Sequence, residues 1–182
     1  DRASYSGFDV SKNFVDLAAA RFRQKENFSF QHVDIFNKMY NPNGKLQAAN
    51  FTFPFQNNSF SFVFLTSVFT HMLTADVINY LKEIKRVIHR DGRCFATFFI
   101  IDDEAERLIN EGRSTLALTH RLPDGCIVEN TDVPENAVGY RKKDLCTMVE
   151  AAGMRIAQFH RGQWPGRTKF LTYQDVCLLE PV

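Results

Sequence analysis

The sequence predicts an α/β layer fold on a mainly parallel sheet, and three observations carry that expectation. Short apolar runs alternate with segments of helical period along the chain. The run FSFVFLTS at 60–67 is apolar without interruption, which suits a strand buried on both faces. Three predicted strands end in polar or acidic residues, namely Asp9, Asp34 and the Thr66–Ser67 pair. Open parallel sheets bind ligands outside the carboxyl ends of their strands, so this coincidence points to a small-molecule site.

The elements follow in order. YSGFDV at 5–10 is a strand end, Ser11 an N-cap, and Phe14, Val15, Ala18 and Phe22 mark the inward face of a first helix. FSFQHVDI at 28–35 is a second strand, and residues 37–50, with NPNG inside, are a polar connection. After the strand at 60–67, Thr74 is placed to cap a helix whose stripe is Val77, Leu81, Ile84 and Ile88 and which ends at Gly92. RCFATFFII at 93–101 is a fourth strand, and DDEAERLINEG a short helix with acids at its start, where the helix dipole favours them. Residues 115–130 read as a hairpin around Pro123, Asp124 and Gly125. A helix at 141–152 turns Leu145, Met148 and Val149 inward and stops at Gly153. The strands at 154–162 and 170–179 are joined by a loop short enough for an antiparallel pair.

Composition bounds the function. The 182 residues, 45% hydrophobic, suffice for a full core and predict one domain, 1–182. Net charge is +1 and the Lys and Arg residues are dispersed, which gives no electrostatic footprint for nucleic acid or an anionic membrane. No run approaches the roughly 18–20 apolar residues of a membrane helix and the start has no signal-peptide core, so a cytoplasmic location is expected. Cys94, Cys126, Cys146 and Cys177 form no C-x-x-C and the histidines no H-x-x-H or H-x-x-x-H, which predicts reduced thiols and no metal site. Phe51, Phe53, Phe55, Phe60, Phe62 and Phe64 alternate as a face packed under a helix does. A base-stacking platform is disfavoured without a basic groove.

The candidate chemistry lies at the strand ends. A carboxylate such as Asp9 can accept two hydrogen bonds from a ribose diol, or cap the following helix. Asp34 can accept from an adenine amino group while Ile35 and Phe36 cover the ring, or serve a turn. His71 is the candidate general base, since imidazole titrates near neutral pH; packing at a helix start is its bland alternative. Asp102 and Asp103 are weaker candidates as base or metal ligand, and His120 on the hairpin either faces the substrate or is an ordinary surface histidine. Trp164 either stacks on a sugar or closes its loop.

YSGFDVS, FSFQHVDI, FPFQNNSFSFVFLTSVFTHM and YLKEIKRVIHRDGRCFATFFI, in that order, resemble the class I S-adenosylmethionine-dependent methyltransferases. The SVFTH string, GYRKKDLCTMVEAAGM and YQDVCLL are similar to a subset acting on small molecules and sugar-bearing substrates. The resemblance implies a Rossmann-like methyltransferase sheet with an antiparallel carboxy-terminal pair. It implies S-adenosylmethionine as cofactor, held by Phe8, Asp9, Val10, Asp34, Ile35, Thr66, Ser67 and Val68, and a small-molecule substrate beneath a variable cover at 103–140. It matches the family's E-x-x-R-V-L-x-P-G-G segment through Glu83, Arg86, Val87, Ile88, Arg90, Asp91 and Gly92. Ser61 stands where the family commonly has Asp. No two glycines stand in a G-x-G relation, so the family's glycine-rich loop is absent from these residues. The expectation is that the family's first strand and that loop lie upstream of Asp1. A non-catalytic methyltransferase-like module is the alternative. A nucleotide-sugar or dinucleotide oxidoreductase is disfavoured by the lack of a Tyr-x-x-x-Lys.

Overall fold

A computed structural model describes residues 3–182 and divides the chain into two compact units, Asp1–Ala48 and Ala49–Val182. In the first, β1 (Tyr5–Asp9), α1 (Lys12–Arg21) and β2 (Phe28–His32) form a unit in which the strands run parallel, Tyr5 opposite Phe28 through Asp9 opposite His32. Val15 and Phe22 turn inward, and Phe22 packs on Phe28 and Phe30 at 5.4 and 5.8 Å. Phe14, expected on that face, is 55% exposed. It stands 100° from Val15 around the helix, beyond the width of the packed stripe. The second strand stops short of residue 35 because Ile35 donates its N–H to the Val33 carbonyl, a tight turn that bends the chain out of the ladder.

The second unit carries a seven-stranded sheet. Its path is β5 (His120–Arg121), β6 (Ile127–Val128), β7 (Val138–Arg141), β4 (Ile88–Ile101), β9 (Asp175–Pro181) and β8 (Met154–His160), with β3 (Phe60–Leu65) also paired to β4. β3 and β7 run parallel to β4, whereas β8 and β9 form the expected antiparallel pair, giving a Rossmann-like mixed sheet. The hairpin of β5 and β6 turns at Gly125, φ +100°.

Helix α2 (Thr74–Val87) begins one residue before the predicted cap position is passed, with Leu73 as N-cap and its N–H donated to the Asp76 carboxylate at 3.3 Å. Val77, Leu81 and Ile84 are fully buried, each burial stabilising the fold by about 1.5–3 kcal/mol. The helix ends at Val87 rather than Gly92. Ile88 already pairs with Phe60, and the next register pair is Phe62 with Arg93, so residues 89–92 form a bulge in the ladder. Gly92 permits this, since a Cβ there would stand 2.6 Å from Ile88 Cγ1 and 2.9 Å from the Ser61 carbonyl oxygen. Glu83 and Arg86 tie α2 to the segment before β3. Phe53 N–H donates to Glu83 Oε2 at 2.7 Å, and Arg86 donates to the carbonyls of Phe53 and Phe55 and to Asn57 Oδ1.

The reading of β3 as buried on both faces is corrected. Phe62 and Phe64 are 51% and 49% exposed and stack on each other at 6.3 Å. Among the described residues β3 pairs with β4 alone, and an apolar strand with one neighbour is not enclosed by its sheet. α3 (Asp103–Asn110) and α4 (Lys142–Ala151) match their predicted segments; Leu145, Met148 and Val149 are buried and Gly153 ends α4 at φ +73°. The span 103–140 contains α3, the β5–β6 hairpin and most of β7.

Candidate functional site

In the first unit, parallel pairing brings Asp9 and Asp34 to one edge. Asp9 lies opposite His32, and its carbonyl accepts the Val33 N–H at 3.1 Å. The Asp9 carboxylate accepts the Ser11 N–H through Oδ1 at 2.7 Å, so it holds the start of α1 in place of a side-chain cap from Ser11. Phe8 and Val10 flank it, half-buried. Asp34 accepts from Asn41 Nδ2 at 3.2 Å, and its carbonyl takes the N–H groups of Lys45 and Leu46. Ile35 is buried at 2% exposure, while Phe36 is on the surface.

In the second unit, the apolar run of β3 breaks where the chain must turn. Ser67 adopts φ +55°, a left-handed conformation costing a non-glycine residue on the order of 1–3 kcal/mol. Two bonds hold it there: its N–H donates to Thr97 Oγ1 at 2.8 Å, and its Oγ accepts from Gln174 Nε2 at 2.9 Å. Thr66 is exposed and Val68 half-buried. Phe69 and Thr70 turn wholly inward, Phe69 stacking on Phe98 at 4.8 Å. A single 3-10 turn, Phe69–His71, then carries His71. Its Nδ1 lies 2.8 Å from the Glu135 carbonyl oxygen. A carbonyl only accepts, so Nδ1 bears the proton and the lone pair of the neutral ring sits on Nε2. Nearby, the buried Tyr140 hydroxyl donates to the Met72 carbonyl at 2.6 Å, and burial pushes its pKa well up.

Asp102, at the carboxyl end of β4, is engaged otherwise. It accepts from Ala105 N–H at 2.9 Å as the N-cap of α3, from Arg167 at 2.7 Å and from Arg161 at 3.1 Å. Burial raises its pKa, but the Ala105 N–H and the two guanidinium groups outweigh that and hold the carboxyl below its usual range. The Arg167 side chain is 2% exposed and also meets Glu104 at 2.9 Å and the fully buried Asp175 at 3.1 Å. Asp175 further accepts from the Trp164 indole at 2.6 Å and from the N–H groups of Gly162 and Ile100, both at 2.8 Å. Trp164 is itself fully buried, 5.3 Å from Phe99, so of its two readings it closes the loop. His120 is exposed on β5. Among the described residues no group of three or more His, Cys, Asp and Glu is placed to hold a metal ion, and no helix is long and apolar enough to cross a membrane. Cys94, Cys126 and Cys177 are buried and unbridged, with the Cys94 and Cys126 thiols pushed up to about 12, chiefly by burial.

Thr97, Gln174, Glu135 and Arg167 shape these corners and were not singled out from sequence. Each acts across at least thirty positions of chain, and no local pattern encodes that.

Comparison with known proteins sets this geometry in context. A family model described as a methyltransferase domain matches residues 2–96. A SAM-dependent methyltransferase from Methanosarcina mazei superposes with TM-score 0.61 at 14% identity, over 97% of this chain and 80% of that one. A protein from Pyrococcus horikoshii OT3 gives TM-score 0.59 at 14% identity, over 98% of this chain and 72% of that one. The trans-methyltransferase CalH, solved in complex with SAH, gives 0.57 at 16% identity, over 98% of this chain and 42% of that one.

Proposed function

The chain belongs to the methyltransferase domain family, the class I S-adenosylmethionine-dependent methyltransferases, and on that premise we propose that it methylates a hydroxyl or amine of a small molecule or sugar-bearing substrate in the cytoplasm. The residues present fit such a cofactor in kind: carboxylates follow two parallel strands, and hydroxyls and an imidazole follow a third. When bound, the cofactor supplies an electrophilic methyl group on a sulfonium. In this reading Asp9 accepts the ribose hydroxyls between Phe8 and Val10, and Asp34 accepts from the adenine amino group beside Ile35. Thr66, Ser67 and Val68 shape the donor's place at the end of β3. What this chain adds is alignment and exclusion of water, because an in-line displacement depends on both.

One observation carries the catalytic part. His71 donates through Nδ1 to the Glu135 carbonyl, which orients the ring and makes Nε2 its basic nitrogen, the atom a general base would use. A hydroxyl nucleophile needs that proton removed; an amine needs less help.

The reading is tested by calorimetric titration with S-adenosylhomocysteine of the chain together with whatever natural sequence precedes it. Saturable binding weakened by Asp9→Ala supports it. Absence of binding with a glycine-rich loop present favours a second reading, a non-catalytic methyltransferase-like partner module.

A further inference from the structure

We infer that a cleft at the end of β8 binds a small organic anion with an apolar body. The sequence after Phe159 reads HRGQWPGRTKFL, in which basic and apolar residues interleave. The loop doubles back on itself: Leu171 donates its N–H to the Arg161 carbonyl at 3.3 Å, Gln163 to Thr172 at 2.9 Å and Trp164 to Tyr173 at 3.0 Å. Arg167 and Trp164 anchor its base on the buried Asp175. The wall it builds is therefore set before any ligand arrives, which lowers the ordering cost of binding.

Between this loop, the end of β8 and the first residue of α4 lies an open cleft of about 600 Å³, a size that suits a small molecule. Lys142, Arg161 and Lys169 line it with His160, and no carboxylate does, in a chain whose net charge is only +1. Arg161 is paired with Asp102 and Glu104, but Lys142 and Lys169 have no ion-pair partner among the described residues. Lys142 instead lies 5.2 Å from the centre of the Phe159 ring, which keeps its ammonium over the cleft wall. Phe170 and Leu171, 47% and 61% exposed, add an apolar surface beside these charges. An inorganic ion would leave that surface wet, and a neutral apolar molecule would leave the ammonium groups unanswered. A carboxylate or phosphate on an aliphatic or aromatic body satisfies both.

Sodium octanoate, octanol and inorganic phosphate titrated calorimetrically into the purified chain test this without a methyl donor, so the outcome is independent of the methyl-transfer reading. Octanoate is expected to bind at one saturable site, more tightly than either control. The double variant Lys142→Gln, Lys169→Gln should weaken it about tenfold, the size of one charge-assisted hydrogen bond, and Phe170→Ser should weaken it as well. All three positions are exposed, so these variants keep the fold. Absence of octanoate binding, octanol or phosphate binding as tightly as octanoate, or indifference to the substitutions would each overturn the inference.

Discussion

The carboxyl ends of β3 and β4, neighbouring parallel strands, carry polar residues of opposite fate. At β4, Asp102 is committed to structure: with Arg167, Asp175 and Trp164 it forms a buried charged network that fastens the 161–174 loop. At β3, Ser67 is strained, Thr66 is exposed, and the His71 ring is held through Nδ1 by the Glu135 carbonyl. Acids and imidazoles at strand ends are thus not equivalent candidates. Asp102 is engaged by two guanidinium groups and the start of α3, whereas the bond of His71 to the Glu135 carbonyl uses Nδ1 and leaves Nε2 as the basic nitrogen of the neutral ring.

The contrast can be broken from either side. The largest effect is expected at β4: Arg167→Met strands the buried Asp175 carboxylate and should cost about 3–5 kcal/mol of stability, read from urea unfolding. A loss below about 1 kcal/mol would mean the network is not structural. At β3, His71→Ala should slow methyl transfer by about a hundredfold or more while shifting the urea midpoint little. Near-normal turnover would make His71 a packing residue. In the first unit, Asp9→Ala should weaken cofactor binding by roughly 1–3 kcal/mol, checked by the S-adenosylhomocysteine dissociation constant. An unchanged constant would leave Asp9 only its bond to Ser11.

The smallest effect is in acid. Asp102 has a folded pKa below its unfolded value of about 3.9, so its contribution is complete above that pH and is lost as pH falls through the folded pKa. Asp102→Asn should therefore flatten the fall in stability below about pH 4 in urea unfolding followed by circular dichroism. An unaltered acid slope would show that other carboxylates carry it.

Much of the fold was legible because it is written locally. The stripe of Val77, Leu81 and Ile84, the inward trio of α4, the Pro123–Gly125 turn and the antiparallel closing pair all follow from periodicity and turn chemistry. Where the reading failed, a distant partner decided. Ile88 is as apolar as the helix before it, and only its pairing with Phe60 moves it into a strand. Phe62 and Phe64 have the alternation of a packed face, but burial depends on what covers a face.

For the site, the sequence by itself determined which chemical groups lie near the strand ends: Asp9 closes β1 and Thr66 follows β3, whereas Asp34 falls two residues past the end of β2. It determined the family as well, through the order of several short segments. Only the tertiary structure decided what each group is bonded to: Ser67 to Thr97 and Gln174, His71 to Glu135, Asp102 to Arg167. Hydrogen bonds and ion pairs act over about 3 Å of space and are indifferent to separation along the chain, so their partners exist only once the sheet has brought the strand ends together.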